Sequence, residues 1–533
     1  MANATRRGVL AGGLAAGMVA GSRTGWGSAA DNIIRFGLSV ERPASLDPAV
    51  SVQGADNTVT RQIFDAFTDP PYGTFDLDTK GLVGEAAEAW EMAPDSRSIT
   101  IKLREGMLFH QGFGEVTADD AKFTLDRIRD PATGSQYRIF YQGVEEVAVL
   151  DKYRIRITLK RPEPTFFATG LIARGSLLVS RKAVEKLGQE FRRRPVGSGP
   201  YEFVSYDSER GVVLKPFAEY HGGQPQVAGV EFRYVPDSTA RTLGFLKGQL
   251  DLIEGIRLPG WLDEIRTQAP KAAFEFTRPG SQNIIAFNLT RKPFDDIRVR
   301  RAIRFAIDRK VLRDAYGDLY GDIWAINPPQ YPGAFQQGQL PEDLQYDYDP
   351  AKAKKLLAEA GYPNGLSFET YISQREDYQS VYLMFQEMLR TVGIDMKLRT
   401  VDHTAYHTDN LRDQNIFPMN SETTAPVGTS LLQTYFSTAS EVKKDGRGGR
   451  NYSHYGVAMP GIDDLLARIQ DEADLERRQA LSREAELRIL RDMPAFNALS
   501  LHWVFARNPR LDLGYRIRAS YAYFTLAKAK FVA

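Results

Sequence analysis

Residues 196–253 read VGSGPYEFVSYDSERGVVLKPFAEYHGGQPQVAGVEFRYVPDSTARTLGFLKGQLDLI, and this stretch decides the fold. From 197 to 235 short strand-like runs alternate with turns rich in Gly, Pro, Asp and Ser. STARTLGFLKG then takes helical spacing behind a capping side chain, and DLI closes the unit as a short strand. The unit is β-rich, with helices laid against the strands.

Upstream, IIRFGL at 33–38 reads as an apolar strand and Val59 to Phe67 has helical spacing. A short helix is expected from Gly84 to Trp90, then a turn at PDSRS and a half-buried strand, ITIKL, at 99–103. Thr117 caps the helix ADDAKFTLDRI with Asp120 at capping-box distance, and VEEVAVL with RIRITLK forms a hairpin. From Asn283 the grain changes to a strand, IIAFNL, and longer helices: VRRAIRFAI, AKAKKLLAEA, YLMFQEMLRTV and DDLLARIQDEA. That shift marks a lobe boundary. KKDGRGGR at 443–450 reads as a solvated, mobile loop.

A chain of 533 residues exceeds the size at which one hydrophobic core stops growing, so two or more lobes are expected. Its 68 Lys and Arg balance 67 Asp and Glu, which leaves no broad field to recruit nucleic acid or anionic lipid. With no Cys, thiol catalysis, disulfides, thiolate metal sites and a lipid-attachment cysteine are all excluded. There is no G-x-S-x-G elbow, no H-E-x-x-H and no phosphate-cradling G-x-x-x-x-G-K-[ST], so nothing local argues for an enzyme or implies a cofactor.

The N-terminus carries TRRGVLA at 5–11 and an apolar stretch from Gly8 to Ala20, the pattern of a twin-arginine export signal with Arg6 and Arg7 as the pair. Ser28, Ala29 and Ala30 suit signal peptidase, which places cleavage after Ala30 and the mature N-terminus at Asp31. About 13 apolar residues are fewer than the roughly 20 needed to span a bilayer. The expected location is periplasmic, without a lipid anchor.

LDPA at 46–49, GLVGEAAEAWEMAPDSRSITIKLREGMLFHQG at 81–112, VTADDAKFTLDRI at 116–128, the stretch 196–253, IAFNLTRKPFDDIRVRRAIRFAIDRKVL at 285–312 and YDPAKAKKLLAEAGYPNG at 348–365 follow one another in a telling order. Together they resemble the family 5 periplasmic solute-binding proteins of ABC transporters, the dipeptide, oligopeptide and nickel-binding family. The resemblance implies an α/β, two-lobed periplasmic binding protein fold of the large, peptide-binding type. Its first lobe would span 31–283 with an extra subdomain inserted at about 73–196, its second lobe 284–496, and residues 497–533 would return to the first. Strands near 284–288 and 495–500 would join the lobes. The implied function is hinge capture of a small solute, a di- or oligopeptide first, and delivery by a monomer to the ABC permease subunits and their ATPase. An opine, an oligosaccharide, a nickel chelate or a sensory role are the alternatives, with a secreted hydrolase ranked behind them.

A zwitterion buried between lobes must have its charges matched. By resemblance Glu422, in PMNSETTAP at 418–426, stands where peptide-binding relatives place the Asp that takes the α-amine, with Met419 in place of a frequent Trp and Asn420 beside it. Arg375, in YISQREDY, is the counterpart for the ligand carboxylate. VQGADN at 52–57 brings Gln53, Gly54 and Asp56 near the cleft, and NYSHYG at 451–456 offers Asn451, Tyr452 and His454, with structural packing as the alternative. His403 and His407, four apart, share a helix face and can hold a metal only with further ligands, so no metal site is assigned. His110 reads as structural.

Overall fold

The computed structural model describes residues 32–532 except 52, 72–80, 173–175, 208–209, 424–426, 447 and 519–523. The export-signal expectations at Arg6, Arg7 and Ser28 to Asp31 lie outside the described residues.

The stretch that opened the reading folds as its pattern requires. Tyr201–Asp207 and Gly211–Pro216 form an antiparallel pair, and Gly211–Pro216 pairs antiparallel with Gly229–Tyr234. Ile33–Leu38 then joins parallel to Gly229–Tyr234 on one side and to Leu252–Glu254 on the other. The helix Ser238–Leu246 makes that parallel crossover, and its first turn is capped by the Asp237 carboxylate, which accepts from the Ala240 N–H. Leu252–Glu254 pairs with Ala495–Arg507, which pairs in turn with Ala273–Ala286, and Met419–Glu422 closes the far edge. One mixed sheet therefore runs through the whole molecule.

Two hydrophobic cores lie along it. One gathers Ile34, Phe36, Ile63, Phe232 and Leu252 with the C-terminal Phe524 and Leu526; the other gathers Ile284, Phe287, Ile303, Phe385, Phe417 and Leu432. Side chains alternate across a strand, and near its end Ala495–Arg507 sends Phe505 into the first core while Val504 and Ala506 enter the second. The antiparallel ribbon Ala273–Ala286 with Ala495–Arg507 is thus shared by both cores, and its register slips between Thr277 and Ser281. Beyond the ribbon, Arg478 Nη2 donates to both oxygens of Glu163 at 3.0 and 3.3 Å, and Arg161 Nη1 donates to Gln470 at 3.0 Å.

Within the first core's part of the chain, Ala87–Met92, Ser98–Leu103, Arg154–Leu159 and Val144–Asp151 make a four-stranded antiparallel sheet. The helix expected from Gly84 to Trp90 is corrected here. Most of that segment is strand, because pairing with Ser98–Leu103 satisfies its backbone and overrides the weak helical preference of Glu and Ala. The helix Ala118–Arg129 follows the capping box between Thr117 and Asp120 as its sequence demands. The helix read from Val59 begins earlier and spans Gly54–Ile63.

The second core's part contains a βαβ unit. Leu366–Ser373 and Ile394–Val401 are parallel neighbours in full register, joined by the helix Glu376–Arg390. The helix His403–Leu411 starts directly after the second strand, capped by Asp402. Among the described residues no helix is long and apolar enough to cross a membrane.

Candidate ligand-binding pocket

In parallel units, ligands collect outside the carboxyl ends of the strands, where helices begin. Here the first parallel strand ends at Ser373 and is followed by Arg375 at the helix N-cap and Asp377 in its first turn; the second ends at Val401 and is followed by His403 and His407. These residues face the end of the edge strand Met419–Glu422 and the shared ribbon. Together they enclose a cavity of about 410 Å³ lined by Arg257, Arg375, Asp377, Glu422, Arg450 and Trp503, with Ser281, Tyr378, His403, His407, Asn420 and Tyr452 filling the wall. The volume lies within the roughly 300–1,000 Å³ of small-molecule sites.

One side of the cavity is organised by Asp377. Arg257 Nη2 donates to its Oδ2 at 2.9 Å, while Arg375 donates Nε to Oδ1 at 3.1 Å and Nη2 to Oδ2 at 3.0 Å. Burial opposes the charge on Asp377, but Arg375 and Arg257 outweigh it and hold the carboxyl below its usual range. Arg257 is buried, donates Nη1 to Ser281 Oγ at 2.8 Å, and lays its guanidinium 3.9 Å from the centre of the Trp503 ring. The Trp503 indole N–H donates to Thr423 Oγ1 at 3.3 Å.

The other side is organised by Glu422. Its Oε2 accepts from Asn420 Nδ2 at 3.1 Å, from the Tyr435 hydroxyl at 3.1 Å, and from Arg450 Nη1 in a short ion pair. Glu422 lifts the Arg450 pKa well above its ordinary value. Between the two sides stand His403 and His407, with ring centres 4.6 Å apart. His403 Nδ1 is 2.8 Å from Ser373 Oγ. Burial, His403 and the neighbouring arginines Arg450 and Arg375 push His407 down to about 4, and burial with Arg375 lowers His403, so both rings are neutral near pH 7. Among the described residues no group of three His, Cys, Asp or Glu could hold a metal ion.

Of the residues singled out in the sequence, Arg375, Asn420, Glu422, Tyr452 and the pair His403 and His407 meet in this cavity. The others do not line it. Met419 is fully buried in the second core, and its backbone N–H and carbonyl both bond to the Tyr406 hydroxyl. Asn451 is buried and ties its own loop, donating to the carbonyls of Ser437 and Tyr455. His454 is clamped between Asp413 at 3.1 Å and Glu441 at 2.8 Å. Gln53 and Gly54 are exposed at the start of the helix Gly54–Ile63, whereas Asp56 is buried and accepts from the Ala44 and Ser45 N–H groups. His110 is buried with Nε2 2.9 Å from the Gly199 carbonyl oxygen.

The sequence reading missed Arg257, Asp377, Arg450 and Trp503. Arg450 ends the Gly-rich segment read as a solvated loop, where it is one of four cations and nothing in the sequence sets it apart. Asp377 is two residues from Arg375, a spacing that does not bring side chains together within a helix and does so here because Arg375 is the extended N-cap. Arg257 and Trp503 belong to segments whose pattern speaks only of burial.

One mixed sheet is thus shared by two cores, with a charged cavity beside the ribbon that both cores share. The chain belongs to family 5 of the bacterial extracellular solute-binding proteins: the profile described as "Bacterial extracellular solute-binding proteins, family 5 Middle" matches residues 81–441. It is 30% identical over 409 residues, 75% of either chain, to the glutathione-binding protein GsiB of Escherichia coli K12. It is 27% identical over 521 residues to GsiB of Pectobacterium atrosepticum, covering 95% of this chain and 93% of that one. Among solved structures it resembles MoaA of A. tumefaciens R10 in complex with mannopinic acid, at 28% identity and a TM-score of 0.81, over 94% of this chain and 99% of that one. The fold is also that of DppA from Helicobacter pylori in complex with the peptide STSA, at a TM-score of 0.76 and 24% identity, over 94% and 98% of the two chains. These relatives are named as binding proteins.

Proposed function

We propose that this chain is exported to the periplasm, acts there as a monomer without enzymatic activity or nucleic-acid partner, and captures a small carboxylate-bearing solute, a di- or oligopeptide first, for an ABC permease. The observation that carries this reading is the convergence of Arg257, Arg375 and Arg450 on one cavity beside the shared ribbon. Guanidinium forks match carboxylates in a way that ammonium groups do not. In this reading Glu422, whose Oε1 has no bond among the described residues, receives the solute's ammonium, and Tyr452 packs against its body.

Capture would work by closure of the first core's half over the cavity, about the ribbon Ala273–Ala286 with Ala495–Arg507. Binding energy would then become a shift between open and closed populations that a permease can read. The exposed helix start at Gln53 and Gly54 is the proposed first-lobe contribution to the closed site. The lobes are proposed to divide at 31–283 and 284–496, with an insertion at about 73–196 and the tail 497–533 returning to the first.

A second reading is supported by the likeness to the mannopinic acid complex of MoaA: the solute would be an opine. Thermal unfolding of the purified protein against peptides of several lengths, opines, oligosaccharides and nickel chelates separates the two, because a ligand of the native state raises its stability. A shift with peptides alone supports the first reading, a shift with opines alone the second, and steady turnover of any member would overturn both.

A further inference from the structure

We infer that His454 is a positioning residue for solute capture: its imidazolium, held between Asp413 and Glu441, braces the loop that presents Arg450 to the cavity. The inference rests on the proposed role of Arg450 in capture and adds a residue that does not itself line the cavity. His454 is buried, with Nδ1 2.8 Å from Glu441 Oε1 and Nε2 3.1 Å from Asp413 Oδ1. A neutral imidazole carries one N–H and would turn a bare lone pair to one of these carboxylates, whereas the imidazolium donates to both. Burial opposes that charge, but the hydrogen bonds and charges of Asp413 and Glu441 outweigh it and raise the His454 pKa above its usual value.

The two carboxylates sit on different parts of the chain. Asp413 follows the helix His403–Leu411 and is fixed to the body of the second core: its Oδ1 also accepts from Asn288 Nδ2 at 2.8 Å, and its Oδ2 accepts from Arg291 Nη2 at 2.9 Å. Glu441 stands at the base of the loop that ends in Arg450. Its carbonyl accepts from the Gly449 N–H at 3.1 Å, and its backbone bridges to Asn451. The Asn451 N–H donates to the Ser440 carbonyl at 2.8 Å, and its carbonyl accepts from the Val442 N–H at 3.3 Å. The chain on either side of Arg450 is thus gripped by Glu441 and its neighbours, and the Glu441 carboxylate is tied through His454 to Asp413.

Few other charges surround the ring. Arg291 reaches Asp413 from the far side, Lys443, Lys444 and Asp445 are exposed on the loop, and Asp463 accepts from the Thr438 N–H and hydroxyl. Because the folded pKa is raised, the imidazolium is complete on the acidic side and is lost as pH rises through that pKa. One carboxylate then loses its donor, the loop is no longer tied to the core through both, and Arg450 loses its brace. Capture is accordingly tighter at the lower pH.

The test compares the parent with His454→Asn, since Asn also adopts the left-handed backbone that His454 holds at φ 59°. Amide hydrogen exchange across residues 441–451, corrected for its intrinsic pH dependence, is followed without solute from about pH 6 to about pH 9. Protection of Gly449 and Asn451 is expected to fall on the order of tenfold in the parent, the ratio for one charge-assisted hydrogen bond, and to stay low and flat in His454→Asn. Glu441→Gln, which keeps the histidine and removes one charge, should move the fall to lower pH, and it decides the matter should His454→Asn not fold. Calorimetric titration with the dipeptide Ala-Ala at both ends of the range is the functional arm. Affinity should drop further with pH in the parent than in His454→Asn, while the amine of Ala-Ala titrates alike for both. Protection and affinity that change by the same factor in the parent and the variants would reduce His454 to packing and overturn the inference, leaving capture standing. Absence of heat with Ala-Ala in the parent would overturn peptide capture, and the exchange profiles would still decide the brace.

Discussion

The Arg257 guanidinium lies 3.9 Å from the centre of the Trp503 indole, and the two residues are carried by neighbouring strands of the shared sheet. Trp503 belongs to the strand Ala495–Arg507, while Arg257 follows the strand Leu252–Glu254 that pairs with it. Stacking leaves the guanidinium edges available for Asp377 and Ser281 and keeps the cation buried yet satisfied.

Trp503→Ala is therefore expected to weaken solute binding by about 0.5–2 kcal/mol, the range for a cation–π contact. Arg257→Lys should cost at least as much, since an ammonium cannot stack and fork at once. Titration calorimetry checks both; unchanged affinity in Trp503→Ala would remove the stacked pair from recognition.

Glu422→Ala is expected to weaken binding of an amine-bearing solute by about 1.5–3 kcal/mol. Because Glu422 also fixes Arg450, the double variant Glu422→Ala with Arg450→Ala should lose less than the sum of the single losses. Strictly additive losses would mean that the pair does not act as a unit.

Asp56 and His502 give the fold opposite responses to pH. Burial raises the Asp56 carboxyl to about 6 despite the Ala44 and Ser45 N–H groups. The folded state thus keeps a proton that the unfolded chain releases from about pH 4. This contribution is full below that point, is lost as pH rises from about 4 to 6, and amounts to about 3 kcal/mol. Burial lowers His502 to about 4, so the unfolded chain gains a proton first and stability falls as pH drops from about 6.5 to 4. Melting temperatures at about pH 4.5 and 7.5 test this. Relative to the parent, Asp56→Asn should become comparatively more stable at the higher pH and His502→Asn at the lower. Parallel curves for all three proteins would refute both assignments.

Arg478→Ala is expected to cost about 1–3 kcal/mol, because it leaves the Glu163 carboxylate without its two charge-assisted bonds. Hydrogen exchange should quicken at the start of the helix Leu475–Asp492 and around residue 163 together. Faster exchange at one of these places alone would mean that the contact does not couple the two halves.

Much of this architecture was legible because local pattern and tertiary demand agreed. IIRFGL, ITIKL and RIRITLK form strands where they were read, and the Thr117 capping box starts its helix. The segment from Gly84 to Trp90 was misread because Glu and Ala carry a helical preference too weak to resist a paired neighbour. Of the residues that line the pocket, Arg375 and Glu422 were named through resemblance, because their segments follow the family pattern. Arg257 and Trp503 were not, because their meaning arises only when strands distant in the chain are laid side by side. Arg450 was discounted with its Gly-rich segment, although glycines there let the backbone pass close to Ser440 and Val442 and bring the arginine inward.

The ribbon Ala273–Ala286 with Ala495–Arg507 has one more consequence. It furnishes Ser281 and Trp503 to the cavity and, in the proposed closure, would also be the joint between the two halves. An altered side chain on it would disturb articulation as well as taste. The helix start at Arg375 and the glycine-bordered Arg450 carry no such double duty. Redesign for a new nutrient should therefore begin with the wall that carries Arg375 and Arg450 and leave the ribbon beneath it unchanged.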